Sequence, residues 1–342
     1  MEEALTFDDI CLIPKYSDVR HRKYVDTKIK LGNYYYNTPL IASNMATVIG
    51  PRMAQEIVKS GGLALLHRFD TLDHQELNYH NSSPYGTKAP ANIGLSLGVN
   101  KDAYDSFWHF FQLTGCNIFV VDCAHADHEL AINMIKFLKS MKGDIGFEPM
   151  VIAGNVVTGD GACRLFEAGA DVVKCGIGSG SICTSRIMAG HGVPQLHALM
   201  DIQKDRLRFF PERQVISDGG VRTPGDAVKA LCFSDAVMMG GVFAACEEAP
   251  GDIKIINGIK YKKHEGSSTY RSSNVEGVKG WVKIKGTYLS VLEYFLDGIR
   301  SGCSYAGVNN VRELQNDPKF VRLTSAGLKE SHPHDILLDS DG

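Results

Sequence analysis

The sequence predicts one α/β domain in which eight parallel strands close into a (β/α)8 TIM barrel. Short apolar runs alternate eight times with longer stretches of helical periodicity. Polar residues or glycines cluster where these runs stop, and in a barrel all such ends share the catalytic face. A doubly wound open sheet is the alternative, but no G-x-G-x-x-G motif follows the first strand.

The predicted strands are short runs rich in apolar and β-branched residues. Three of them have apolar residues at both odd and even positions, as expected for parallel strands buried on both faces. In chain order we predict strands at 38–43, 63–67, 91–99, 117–124, 149–155, 171–178, 214–220 and 235–241. Helices are predicted between them, such as those at 51–59, 128–141, 159–169 and 224–231, with a last helix at 287–300.

The segment 249–286 does not follow this alternation. It is rich in Gly, Ser, Lys and Tyr and lies where the last helix should begin. A loop this long inside a compact domain is usually a lid or a binding loop. We therefore expect residues 1–342 to form a single catalytic domain, with the barrel at about 38–301, a loop or flap at 249–286 and a C-terminal extension at 302–342.

Composition and charge exclude several classes of protein. The 342 residues are 44% hydrophobic and 22% charged, which is typical of a globular protein and argues against a disordered chain. The net charge of −3 argues against nucleic acid as the main partner. No apolar run is long enough to cross a bilayer, and the acidic start lacks a signal-peptide pattern. We expect a cytoplasmic protein with no membrane partner.

The loop KCGIGSGSICTSR at 174–186 is the strongest local signal for chemistry. Gly176, Gly178 and Gly180 let it bend tightly just past a strand and present backbone N–H or carbonyl groups to a ligand. Cys183 follows, and an exposed thiol beside a cation or backbone donors is a good nucleophile. The thiol is surrounded in sequence by Ser181, Thr184, Ser185 and Arg186. A glycine-rich turn with a buried cysteine remains the alternative.

Paired glycines close the next two strands, in SDGG at 217–220 and MGG at 239–241. Glycines allow the backbone to approach a phosphate, and a following helix N-terminus favours negative charge. Barrels commonly bind phosphate after strands seven and eight. We therefore expect a phosphate site, with two tight turns as the alternative. Its predicted residues are Gly219, Gly220, Gly240 and Gly241, with Asp218 holding ribose hydroxyls.

The roles of two other groups of residues depend on how the tertiary structure places them. Asp122, His125 and His128 span a strand end and a helix start, so contact with substrate or helix capping is favoured over zinc binding. Glu276 is the only acid in the final part of the long loop. It would be solvated unless the loop closes over the site, where desolvation could make it an acid/base group.

These motifs, taken in order, resemble those of the IMP dehydrogenase and GMP reductase family. The resemblance covers about residues 5–335 and is most specific in the glycine-rich loop that contains GSICT. It implies a (β/α)8 barrel, a purine nucleoside monophosphate as substrate, a nicotinamide cofactor and a covalent bond from Cys183 to purine C2. The matching segments are LTFDDICLIP, SNMATV, VVDCAHADH, VIAGNV, GIGSGSICTSR, ISDGGVRTPGDAVKA, VMMGGVFA and ESHPHD.

The resemblance also implies roles for individual residues. Catalytic roles fall on Cys183, Ser185 and Glu276. Substrate contacts fall on Ser43, Met45, Ser181, Asp218, Gly219, Gly220, Gly240, Gly241, Tyr261, Gly266 and Ser267. Cofactor contacts fall on Asp122, Ala124, His125, Tyr270 and Arg271. Backbone carbonyls at Gly178, Gly180 and Cys183 would hold potassium, and a homotetramer is implied.

Four features bear on which member of the family this is. Many dehydrogenases of this family carry a regulatory pair of CBS modules before the third strand, and no such insertion is present there in this sequence. A Tyr270-Arg271 pair shortly before Glu276 resembles the reductase arrangement. Both features favour a reductase. Only fifteen positions separate Tyr261 from Glu276, too few for the mobile flap of a dehydrogenase. ESHPHD resembles the dehydrogenases instead, where it helps a neighbouring subunit hold a monovalent cation.

We therefore expect the GMP reductase reaction, from GMP and NADPH to IMP, ammonia and NADP. The alternative within the family is IMP dehydrogenase, which converts IMP to XMP with NAD. Ala46 stands where the family has an aspartate, and Ser185 where it usually has threonine. Ser185 keeps the hydroxyl, but Ala46 and the short loop could mark lost activity, so a non-catalytic purine-nucleotide-binding barrel is a second alternative. Another barrel oxidoreductase with flavin is a third.

Overall fold

A computed structural model describes residues 3–84, 92–266, 277–333 and 335. Among these residues the strands are β1 (Ile10–Leu12), β2 (Ile29–Leu31), β3 (Tyr34–Tyr36), β4 (Leu40–Ala42), β5 (Ala64–Leu66), β6 (Ile93–Leu97), β7 (Ile118–Asp122), β8 (Met150–Val156), β9 (Val172–Cys175), β10 (Gln214–Asp218), β11 (Ala236–Met239), β12 (Ile253–Ile256), β13 (Ile259–Glu265), β14 (Lys279–Lys283) and β15 (Phe320–Arg322). The helices are α1 (Pro51–Lys59), α2 (Leu72–Ser82), α3 (Asp102–Thr114), α4 (Glu129–Ile145), α5 (Gly159–Glu167), α6 (Ser185–Met188), α7 (Gln195–Phe209), α8 (Pro224–Leu231), α9 (Gly241–Ala244), α10 (Tyr288–Ala306) and α11 (Ser325–Glu330).

Strands β4 to β11 form one parallel sheet that curls into a nearly closed barrel. Neighbours in the chain pair from β5 to β11, and β11 returns to pair in parallel with β4, for example Met238 with Ile41. β4 and β5 approach each other at the remaining seam. A helix follows every strand, so the predicted barrel and its eight strands are confirmed.

The predicted strands overrun the observed ones where glycines follow. The run predicted at 171–178 ends as β9 at Cys175, and Gly176 follows, where a β-carbon would lie only 2.0 Å from the carbonyl oxygen of Asp218. Two strand ends approach each other there more closely than any side chain allows. The predicted helices at 51–59 and 224–231 match α1 and α8 to the residue.

Alternate residues of the strands point into the barrel and fill it. Ile118, Val120, Ile152 and Val172 are fully buried there, and the β2–β3 hairpin closes the N-terminal end with Leu31 and Tyr36. Because side chains alternate along a strand, the next inward positions toward the C-terminal ends are also fixed. These positions hold the polar residues Asp122, Lys174 and Asp218.

The segment before the last helix contains regular structure that composition did not predict. β12, β13 and β14 form an antiparallel three-stranded sheet, and Asn257 and Gly258 join the first two strands with φ of 51° and 80°. Asn-Gly with both φ positive is the preferred two-residue hairpin turn. A search for flanking strands around this dipeptide would have found the hairpin.

The segment between β5 and β6, where a CBS pair would be inserted, is short in this chain. Between the end of β5 and the start of β6 lie residues 67–92, and the structure describes α2 within them. The C-terminal segment returns to the N-terminal one, since β15 pairs antiparallel with β1. Within the part of the chain that the structure describes, no helix is long and apolar enough to span a membrane.

Candidate active site

A cavity of about 840 Å³ opens at the C-terminal ends of the barrel strands. Its volume is near the upper end of the roughly 300–1,000 Å³ typical of small-molecule sites. The predicted site residues in its lining come from loops after several strands. They are Ser43, Met45, Asp122, Ala124, Gly178, Gly180, Ser181, Cys183, Ser185, Asp218, Gly219, Gly220, Gly240, Gly241 and Gly266.

The glycine-rich loop after β9 carries the thiol into this cavity. The N–H of Cys183 donates to the carbonyl of Gly180 over 3.0 Å, which closes a tight turn. Cys183 Sγ lies 3.2 Å from the hydroxyl oxygen of Ser185, the first residue of α6. A hydroxyl at this distance can stabilise the thiolate and exchange protons with a group bound at the sulfur. The potassium site at these carbonyls stays a prediction.

The base of the long segment lies against this same loop. Gly277 forms a β-bridge with Cys183, and the N–H of Val278 donates to the carbonyl of Ile182 over 2.9 Å. Gly266 is also there, since a β-carbon on it would lie 3.1 Å from Gly277 Cα. The ten residues 267–276 therefore connect two points that adjoin the thiol.

Cys183 is one of two cysteines that line the cavity, the other being Cys123. All nine cysteines are free thiols, and five of them are buried. Burial and the neighbouring carboxylate of Asp122 raise the pKa of Cys123 to about 11, so Cys123 is a protonated thiol near pH 7. Only Cys183 combines exposure to the cavity with a hydroxyl partner in the described residues.

Lys174 forms the polar floor of the cavity. Its ammonium group is 2% exposed and lies 3.4 Å from a carboxylate oxygen of Asp122 and 3.4 Å from one of Asp218. It also donates to Asn44 Oδ1 over 3.2 Å. Burial alone would lower the pKa of Lys174, but the two carboxylates outweigh it and hold that pKa above its usual value. The lysine thus fixes both carboxylates at the centre of the barrel mouth.

Other groups orient the same two carboxylates. The Asn155 amide donates to Asp218 over 2.9 Å and to the Gly176 carbonyl over 2.7 Å. On the other side, Arg68 Nε lies 3.4 Å from Asp122. Lys174 and Asn155 both contact Oδ2 of Asp218, so its Oδ1 can accept a hydrogen bond from a sugar hydroxyl, while Asp122 uses one oxygen for Lys174 and the other for Arg68.

The glycines after β10 and β11 adjoin two serines of the thiol loop. A β-carbon on Gly241 would lie 3.1 Å from Ser181 Oγ, and one on Gly219, where φ is +94°, would lie 2.9 Å from Ser179 Oγ. Side chains at these glycines would fill the gap between the loops. The arrangement leaves a narrow corner lined by hydroxyl and backbone groups, which suits an anion such as phosphate.

The structure places two predicted site residues away from the cavity lining. His125 is exposed beyond β7, and Tyr261 lies in the three-stranded sheet, paired with Lys254 and Lys283. Ser267, Tyr270, Arg271 and Glu276 lie outside the described residues. The binding and catalytic roles of all six stay predictions.

Asp122, His125 and His128 do not converge. Asp122 faces the barrel interior, while His128 Nδ1 accepts from the N–H of Leu130 and caps α4, as the capping interpretation expects. In the described ranges, no group of three His, Cys, Asp or Glu side chains is placed to hold a metal ion.

Sequence reasoning missed several residues that line the cavity, of which Lys174 and His264 are the most informative. Lys174 could have been predicted, because it is a lysine within an apolar strand at a position whose side chain points into the barrel. For His264 no such signal exists, because its strand lies in a segment with no apolar run.

We expect Lys174→Met to destabilise the protein by about 3–5 kcal/mol, because it leaves the largely buried Asp218 without its cation and Asp122 with Arg68 alone. Denaturant unfolding of the variant and the wild type measures this difference. Lys142→Met is the matched control, since its ion pair with Glu148 is exposed and is worth at most about 1 kcal/mol. Equal stability of Lys174→Met and the wild type would contradict the assigned role.

The comparisons with known proteins agree with this geometry. The family model "IMP dehydrogenase / GMP reductase domain" matches residues 4–334. The IMP dehydrogenase of Borreliella burgdorferi is 31% identical, over 98% of this chain and 98% of its own length. The GMP reductase of Leishmania donovani is 28% identical, again over 98% of both chains.

A solved structure is similar over almost the whole chain. It is a GMP reductase variant from Trypanosoma brucei in complex with guanosine 5′-monophosphate. The TM-score is 0.90 and the sequence identity 27%, and the match covers 98% of this chain and 99% of the other.

Proposed function

Because the chain belongs to the family of IMP dehydrogenases and GMP reductases, we propose that it is a GMP reductase that uses NADPH to convert GMP to IMP and ammonia. One observation carries the proposal. The thiol of Cys183 lies in the cavity 3.2 Å from the Ser185 hydroxyl, and the Cys183 backbone forms a β-bridge with Gly277, which directly follows Glu276 in the chain. A nucleophile, a hydroxyl and the end of an acid-bearing segment thus meet at one point.

The nucleotide would lie across the barrel mouth. Its phosphate fits the corner between Ser181 and the glycines after β10 and β11, and its ribose hydroxyls would donate to the carboxylate of Asp218. This placement brings C2 of the purine toward Cys183. The GMP-bound reductase that is similar over the whole chain supports a purine nucleotide as the ligand.

The opposite side of the cavity fits a nicotinamide group. Arg68 and Asp122 form an ion pair that offers a donor and an acceptor for a carboxamide, and the Phe69 ring supplies an apolar wall. These residues, with Ala124, would hold the cofactor, which supplies hydride when bound. Arg271 and Tyr270 would contribute from the long segment.

The chemistry would proceed at C2 of GMP. The Cys183 thiolate adds to C2, and the 2-amino group leaves as ammonia after Glu276, assisted by Ser185, donates the proton that the leaving nitrogen needs. The nucleotide is then held by a thioimidate bond at C2. A bound nicotinamide cofactor would supply the hydride that replaces sulfur at C2, and Cys183 would leave as the thiolate when IMP is released.

IMP dehydrogenase is the second candidate, favoured by relatives of that name that are as similar as the reductases. Its chemistry needs a base to make hydroxide at C2 after the cofactor has left. Gly266 lies beside Gly277, which is bridged to Cys183, and only ten residues join the two glycines, which leaves little chain for a swinging flap. This short connection favours the reductase.

A pair of assays on the wild-type protein tests the proposal. The reaction of GMP with NADPH should lower the absorbance of the reduced nicotinamide and release stoichiometric ammonia. The reaction of IMP with NAD should give no sustained increase in that absorbance. NADH in place of NADPH reports the cofactor preference. Sustained NADH production from IMP, with none of the first reaction, would contradict the reductase assignment.

We also propose a cytoplasmic homotetramer with a potassium ion at the thiol loop, as the family resemblance implies. Light scattering and the response of activity to potassium would test both expectations.

A further inference from the structure

His264 is a buried histidine that lines the cavity and has no role in the chemistry above. It lies on β13, where its side chain is 1% exposed, and the strand brings it against the loop after β4. A histidine this deeply buried next to a ligand cavity is either a satisfied core residue or a ligand contact. Its hydrogen bonds distinguish the two.

One nitrogen of the His264 ring contacts a side chain of the protein. His264 Nδ1 lies 3.0 Å from Thr47 Oγ1, and that same hydroxyl oxygen accepts from the N–H of Glu265 over 3.2 Å. The Thr47 hydroxyl proton has two acceptors within reach, Nδ1 at 3.0 Å and the Glu265 carbonyl at 3.4 Å, and the shorter contact favours Nδ1. In that arrangement Nδ1 accepts from Thr47.

The tautomer of the ring follows. Burial lowers the pKa of His264, which keeps the ring neutral near pH 7. A neutral imidazole with Nδ1 as acceptor carries its proton on Nε2. In the arrangement in which Thr47 donates to Nδ1, Nε2 is therefore a donor.

The donor faces the predicted phosphate corner. A β-carbon on Gly240 would lie 3.9 Å from His264 Nε2 and 3.6 Å from both Ser43 Oγ and Met45 Sδ. The imidazole N–H and the Ser43 hydroxyl thus flank the space beside Gly240. Two donors around a space bounded by a glycine suit an anion.

The neighbouring lysines on β13 are engaged elsewhere. The Lys262 ammonium donates to the carbonyls of Cys246, Glu247 and Ala249, and Lys263 pairs with Glu265. Neither can therefore replace the imidazole at this corner without breaking those contacts.

We propose that His264 Nε2–H donates to the 5′-phosphate of the bound nucleotide, with Thr47 as the positioning residue that sets the tautomer. The proposal rests on the proposed function, because it requires a nucleoside monophosphate in the cavity. It adds a phosphate-specificity residue outside the glycine-rich loops.

Calorimetric titration of the full-length protein with GMP, IMP, guanosine and inosine tests this role. We expect His264→Ala to weaken binding of both monophosphates about 10- to 100-fold, the range for one hydrogen bond to a charged group, and to leave nucleoside affinity within about twofold. His264→Gln, whose amide can reach the same corner, should restore most of the loss. Thr47→Val should give a smaller loss confined to the monophosphates.

Thermal melting of each variant separates this role from a structural one. If His264→Ala does not fold, His264→Gln and Thr47→Val still compare monophosphate with nucleoside binding. Equal weakening of nucleotides and nucleosides, or no weakening, overturns the role of His264. If the wild type still prefers monophosphates in that case, the proposed nucleotide site stands. Equal binding of GMP and guanosine by the wild type overturns both.

Discussion

Replacing Cys183 with alanine is expected to lower turnover by at least about three orders of magnitude while leaving nucleotide affinity nearly unchanged. The thiol is the only nucleophile that the proposed reaction uses, and it contributes a covalent bond rather than binding energy. Its removal therefore affects kcat far more than the Kd of GMP. Steady-state kinetics and calorimetric titration measure the two quantities separately.

Cys123→Ala is the matched control for this variant. Cys123 lines the same cavity, but burial and Asp122 raise the pKa of its thiol to about 11, so it should contribute little nucleophile. We expect this variant to keep most of the wild-type activity. Mass spectrometry of wild-type protein quenched with substrate should show a nucleotide adduct on Cys183 and on none of the other eight cysteines.

A Cys183→Ala variant with substantial activity would show that the thiol is only structural. The non-catalytic alternative makes a different prediction, since neither wild type nor variant would turn over while both would bind nucleotide. The adduct experiment distinguishes these cases because it detects bond formation independently of complete turnover.

Replacing Glu276 with glutamine is expected to lower the rate of ammonia release by about two to four orders of magnitude, the range for loss of a positioned acid/base group. The leaving nitrogen needs a proton, and a glutamine amide is not acidic enough to supply one near pH 7. Glu276 adjoins Gly277 in the chain, and Gly277 is bridged to Cys183. Ammonia release in a single turnover, with GMP affinity measured alongside, isolates this step.

Glu293→Gln is the control, because Glu293 is an exposed glutamate on α10, away from the cavity. It should match the wild type in both measurements. A Glu276→Gln variant that still releases ammonia at the wild-type rate would remove the acid/base role from this residue.

Arg271→Ala gives an outcome that separates the two family reactions. In a reductase it should mainly weaken cofactor binding. A burst of NADH from IMP and NAD, followed by accumulation of a Cys183 adduct, would instead identify the arginine as the base of a dehydrogenase.

Periodicity along the chain was sufficient to predict the barrel. Eight buried strands, their order and the position of α1 and α8 depend on short-range patterns of apolar residues and on the preference of Pro for helix starts. The hairpin at Asn257 and Gly258 was missed because composition was used there in place of turn chemistry.

The sequence by itself determined the fold and the loop that carries Cys183, because glycines after a strand and the alternation of apolar runs are local properties of the chain. Only the tertiary structure joined Lys174 to Asp122 and Asp218, which are 52 and 44 positions away. It likewise placed His264 beside Thr47, 217 positions earlier in the chain. Such contacts depend on barrel closure, which brings distant strand ends to one mouth, and no local pattern records which side chains meet there.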